Sequence, residues 1–126
     1  MKAAIDACRI YPTITQNNLI ANRSYLAVKK LRQNNHPVVA IGKRTGKVGD
    51  VDIVKDHLPV GNVHTITLYL NPTNQKEYYD YILELNPNRV IFNPGTENEE
   101  LMKQVKHNGI DAVVGCTLVM LSTGQY

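Results

Sequence analysis

The sequence predicts an α/β domain built on a mostly parallel sheet. From Ser24 onward, stretches of helical period alternate with short apolar runs rich in β-branched residues, and each run closes on glycine, asparagine or proline. A length of 126 residues suits one hydrophobic core and not two, so a single domain over 1–126 with one site is expected.

Each element has its own signal. Residues Ser24 to Asn34 place Tyr25, Val28 and Leu31 on one helical face and turn Lys29, Lys30, Arg32 and Gln33 outward. Asn34-Asn35-His36-Pro37 stops that helix, because proline disfavours helical geometry in the residue before it. Val38 to Ile41, closed by Gly42, reads as a buried strand. The stretch from Lys43 to Asn62 carries Gly46, Gly49, Pro59 and Gly61 and reads as loop, with room for a minor strand at Val51 to Val54.

Val63 to Leu70 has the composition of a central strand. Asn71-Pro72 then opens a helix as N-cap and first-turn proline, with Tyr78, Tyr81, Ile82 and Leu85 along one stripe and Pro87 as the stop. Arg89 to Phe92 is the next strand, and Asn93-Pro94-Gly95 turns the chain out of it. Thr96-x-x-Glu99 has capping-box spacing before a helix that points Leu101 and Val105 inward and ends at Gly109. Glu97, Glu99 and Glu100 load its first turn with the sign the helix dipole favours, and His107 suits its last turn. Asp111 to Val114 is the last strand, followed by Gly115-Cys116-Thr117 and a short apolar tail.

The N-terminal 22 residues are atypical, since no glycine precedes Gly42. Two first strands are open. Ile10 to Thr15 would put Gln16-Asn17-Asn18 at the turn, where asparagine tolerates left-handed geometry, but Pro12 lacks the N–H that a central strand needs. Lys2 to Ala7 would leave a long loop to Asn22 and bring Asp6 towards that turn.

Composition narrows the function. Charged residues make up 20% and the formal net charge is +3, with basic residues densest at Lys29-Lys30-x-Arg32 and Lys43-Arg44-x-x-Lys47. This distribution suits a small phosphorylated ligand better than a nucleic acid track, although solvated surface charge is the more common account of any such cluster. Cys8 and Cys116 have no metal-site spacing and fit a reduced, cytoplasmic protein, and no segment is long and apolar enough for a membrane span. His36, His57, His64 and His107 share no ligand or triad spacing, and no carboxylate pair stands out as acid and base. In a parallel sheet the strand ends and neighbouring helix N-termini gather at one edge, here Gly42-Lys43-Arg44, Leu70-Asn71-Pro72, Phe92 to Thr96 and Gly115-Cys116-Thr117.

Those segments carry a resemblance. Thr65-Ile-Thr-Leu-Tyr-Leu-Asn-Pro-Thr-Asn-Gln-Lys-Glu-Tyr-Tyr-Asp-Tyr-Ile, Ile91-Phe-Asn-Pro-Gly-Thr-Glu-Asn-Glu-Glu-Leu and Gly115-Cys-Thr-Leu-Val-Met-Leu-Ser-Thr-Gly are similar to the small stand-alone CoA-binding proteins related to the N-terminal domain of succinyl-CoA synthetase alpha subunits. The likeness runs from about Arg23 to the C-terminus. It implies a Rossmann-like, doubly wound sheet of five or six strands with helices on both faces, binding coenzyme A or an acyl-CoA through its ADP moiety. On that reading Lys43 meets a phosphate, with Arg44 as second candidate beside Gly42; Asn71-Pro72 and Asn93-Pro94 border the groove; and Arg23-Ser24 sits at the N-terminus of the first helix, facing the diphosphate. Relatives carry a Gly-Ala-Ser-type turn before that helix, and this chain does not, which bears directly on diphosphate binding.

The leading expectation is therefore a non-catalytic CoA-binding module. The alternatives are a small acyl-CoA- or nucleotide-using enzyme acting at Cys116, and a ligand-free interaction domain that has lost its phosphate loop. A dinucleotide is disfavoured, because Gly42-Lys43-Arg44 stands where an acidic residue would bind ribose. A homo-oligomer or a protein partner fits the sequence as well as a monomer does.

Overall fold

A computed structural model of the chain describes residues 5–11, 19–36, 38–42, 46–48, 51–54 and 63–126. Its strands are β1 Ile5–Tyr11, β2 Val38–Gly42, β3 Gly46–Val48, β4 Val51–Val54, β5 Val63–Leu68, β6 Arg89–Phe92 and β7 Asp111–Val114. Among the described residues they form one seven-stranded sheet in the order β3-β4-β2-β1-β5-β6-β7. All neighbours pair in parallel except β3 with β4. The expected count of five or six strands is thus corrected. β4 falls on the minor strand expected at Val51–Val54, and the added strand is β3, a three-residue run that pairs antiparallel with β4 at the sheet edge and is too short to show a period.

β1 lies between β2 and β5 and straddles the two expected first strands. It ends at Tyr11, one residue short of the proline whose missing N–H has no place in a strand paired on both sides. The turn expected at Gln16-Asn17-Asn18 lies outside the described residues. The helices are α1 Leu19–Gln33, α2 Pro72–Gln75, a 3₁₀ turn at Lys76–Tyr78, α3 Tyr79–Leu85, α4 Glu99–His107 and α5 Thr117–Thr123.

Alternation along the strands sends side chains to two faces. On one face Ile41, Ile66, Leu68, Leu70, Val90 and Phe92 pack with Tyr78, Tyr81, Ile82, Leu101 and Val105 of the 3₁₀ turn, α3 and α4. On the other, Ala40 and Tyr69 meet Ala27 and Val28 of α1, with Leu118 of α5 against them. Helices therefore cover both faces, as a doubly wound fold requires, and α5 packs beside α1. Left-handed residues close the helices: Asn35 at φ 65 follows α1, Asn86 at φ 47 caps α3, Gly109 at φ 77 follows α4 and Gly124 at φ 75 caps α5, and at the two glycines a side chain would be strained.

Three local expectations are corrected. α1 begins at Leu19, because Leu19, Ile20 and Ala21 extend its apolar pattern upstream of Ser24, so Arg23 and Ser24 lie in its second turn and not at its start. The cap of α4 is Asn98, whose Oδ1 accepts the Leu101 N–H at 3.2 Å, while the Thr96 hydroxyl donates to the Asn93 carbonyl at 2.7 Å. The apolar tail after Cys116 is the helix α5.

Candidate functional site

Because β1, β2, β5, β6 and β7 run in parallel, their carboxyl ends share one edge, and the loops after β5 and β6 lie side by side there. Gly42 is at this edge as the last residue of β2, paired with Tyr11 of β1. Lys43 and Arg44 lie outside the described residues, as do the side chains of Arg23 and Ser24. Asn71 and Pro94 are exposed at the edge and Pro72 is half-buried.

Asn93 behaves differently from a groove-lining polar residue. It is 1% exposed and continues the Arg89, Ile91 side of β6, which directs its amide into the layer beneath α5. Its Nδ2 donates to Thr67 Oγ1 at 2.6 Å and to the Leu68 carbonyl at 2.8 Å, and its Oδ1 accepts the Thr117 N–H at 2.8 Å. The Thr67 and Thr117 hydroxyls bond to each other at 2.7 Å. One side chain thus ties β5, β6 and the start of α5, and its amide is fully engaged inside the protein.

A second buried amide escapes a reading of the sequence. Gln75 is fully buried, its Nε2 donates to the Leu70 carbonyl at 2.7 Å and the Thr96 carbonyl at 2.9 Å, and its Oε1 accepts from Asn98 Nδ2 at 2.9 Å. Asn98 Nδ2 also donates to the Tyr79 hydroxyl at 2.8 Å, and that hydroxyl donates to Glu100 Oε1 at 3.0 Å. Burial pushes the Tyr79 hydroxyl above the usual tyrosine range, the Asn98 bond opposes that, and Glu100 reinforces it, so the phenol stays neutral and able to donate. Within the polar run Asn71-Pro-Thr-Asn-Gln nothing marks Gln75 as internal, because burial of a glutamine depends on partners brought from distant loops.

The remaining chemistry at this edge is modest. Gly95, at φ 89, donates its N–H to Glu97 Oε1 at 2.9 Å. Cys116 is a half-buried free thiol at the start of α5 and makes no side-chain cap bond. Among the described residues no cluster of three histidine, cysteine, aspartate or glutamate side chains could hold a metal, and no helix is long and apolar enough to cross a membrane. An open depression of about 490 Å³ lined by Lys106, Ile110, Asp111 and Val113 sits where α4 ends and β7 begins, at the opposite end of the strands.

A mostly parallel doubly wound sheet gathers its loops at the carboxyl ends of the strands, the edge at which α/β folds of this class bind their ligands. The chain belongs to the CoA binding domain family, which matches residues 20–122. It is 43% identical to an uncharacterized protein of known crystal structure, over 97% of this chain and 98% of that one, with a TM-score of 0.85. A hypothetical protein from Pyrococcus horikoshii OT3 shares the fold at 16% identity, with 94% of this chain and 82% of that chain covered and a TM-score of 0.78. A Thermus thermophilus protein does so at 14% identity, over 97% and 91% of the two chains, with a TM-score of 0.75. No curated protein matches this chain.

Proposed function

We propose that the chain binds coenzyme A or an acyl-CoA through its ADP moiety and performs no chemistry on it. The observation that carries this reading is the match to the CoA binding domain family, which takes in β2, the β5 and β6 loops and the start of α5. Lys43 follows Gly42 out of β2 and is the first candidate for a ligand phosphate, with Arg44 second. Asn71, Pro72 and Pro94 form the rim, while Asn93 acts from beneath it as a support.

The first turn of α1, beginning at Leu19, would offer the diphosphate its unpaired N–H groups, with Arg23 and Ser24 placed in the second turn. This arrangement replaces the glycine turn of relatives with helix N–H groups and a cation.

Thermal unfolding tests the reading. Coenzyme A at about 100 times its dissociation constant adds roughly 2.7 kcal/mol of stability, several degrees for a domain of this size. Dephospho-CoA gives a smaller shift, and Lys43→Ala reduces both. No shift with any CoA derivative or adenine nucleotide would remove the proposal in favour of a ligand-free interaction domain. Turnover of an acyl-CoA that disappears in Cys116→Ser would replace it with an enzyme.

A further inference from the structure

We infer that Gln75 is the positioning residue of the ligand edge, setting the distance between the loop after β5 and the loop after β6. The inference rests on the CoA-binding reading for its ligand, but its geometry is independent of it.

The two loops leave adjacent parallel strands and carry the residues assigned to the rim, Asn71 and Pro72 on one and Pro94 on the other. Backbone bonds run within each loop, from the Gln75 N–H to the Asn71 carbonyl at 3.1 Å and from the Thr96 N–H to the Asn93 carbonyl at 2.9 Å. Gln75 joins them. Its single amide nitrogen reaches the Leu70 carbonyl of the first loop and the Thr96 carbonyl of the second, and its oxygen takes the Asn98 amide that also caps α4.

All of this is buried, where a backbone carbonyl needs a hydrogen-bond partner, and the Gln75 amide supplies one to each. A glutamine is suited to the task because it offers two donors and an acceptor on one rigid plane. A leucine of similar size would fill the space and hold neither loop. Among the described residues, the titratable groups joined to this site by hydrogen bonds are Tyr79 and Glu100, reached through Asn98.

The test pairs ligand affinity with amide hydrogen exchange. Gln75→Leu is expected to weaken coenzyme A binding by about tenfold or more and to speed exchange at residues 70–76 and 93–98 ahead of β5, β6 and α4. If that variant does not fold, Gln75→Glu decides. A neutral carboxyl donates one hydrogen bond and an ionised one donates none, so its affinity relative to wild type at the same pH should recover as the pH falls from about 9 to about 5.5.

A folded Gln75→Leu or Gln75→Glu variant that binds coenzyme A like wild type at every pH overturns the inference. So does faster exchange spread evenly over the whole sheet. If the wild-type chain binds no coenzyme A, the function proposed above fails, and the exchange pattern alone then decides whether Gln75 ties the loops.

Discussion

On one face of the sheet Ile66, Leu68, Val90 and Phe92 meet Tyr81, Ile82, Leu101 and Val105, side chains that need only be apolar and well shaped. On the other, α5 is fastened by directed bonds. At its start the Thr117 N–H and hydroxyl meet Asn93 and Thr67. Beyond its end, Arg89 donates to the Tyr126 carbonyl at 3.2 Å and stacks 4.7 Å from the Tyr126 ring, while its Nε donates to Thr65 at 2.8 Å. Thr65 and Thr67 are the β5 residues pointing to this side, and both are fully buried.

Burial of hydrocarbon is non-directional and supplies most of the free energy, whereas hydrogen bonds add less net energy and dictate position. The difference assigns stability to the α3–α4 face and placement of α5 to the other. It also explains the pair of residues at the carboxyl end of β6, where the strand closes on Phe92 facing one layer and Asn93 follows facing the other.

The largest expected effect is on the apolar face. Phe92→Ala should cost about 3–5 kcal/mol in urea unfolding, because Phe92 is fully buried and its surroundings relax only partly into the void. A loss under about 1 kcal/mol would show that this layer is not the stability store.

Asn93→Ala is the matching change on the polar face, expected to cost roughly 2–3 kcal/mol by leaving the Thr117 N–H and the Leu68 carbonyl without their partner. Its distinguishing mark is local: amides of α5 should exchange faster while those of α4 keep their protection. Uniform loss of protection would erase the distinction between the two faces.

The smallest effect is a pH dependence on the apolar side. Burial, aided by the Glu77 carboxylate, lifts the Tyr78 hydroxyl above the ordinary 10.0. The unfolded chain then releases that proton first, so this contribution is complete below about pH 10 and is lost as the pH rises towards the folded value. Urea midpoints of wild type and Tyr78→Phe should converge over that interval or cross, and parallel curves would show that the hydroxyl is not perturbed.

Much of this architecture was legible because it rests on periodicity. The stripe of Tyr78, Tyr81 and Ile82 is buried as its spacing predicts, β6 and β7 have their expected bounds, and Leu101 and Val105 face inward. What failed to show was set by partners remote in sequence. Thr96-x-x-Glu99 imitates a capping box, yet Thr96 is drawn to the Asn93 carbonyl and Asn98 caps in its place. α5 is short, and its run Leu118-Val-Met-Leu has no polar side to reveal a helix. At the carboxyl-end edge the sequence put Asn93 on the border of a groove, where the structure buries its amide, and it was blind to Gln75, since a buried amide and a surface amide are spelled alike.

The position of β1 has a consequence for how the chain assembles. β1 is held between β2 and β5, so its edge towards β5 has no partner until residues 63–68 are in place. The middle of the sheet is therefore closed by pairings between distant parts of the chain, of the kind that form slowly. An unpaired strand edge is open to pairing with another chain, and for β1 that exposure ends only when β5 adds beside it.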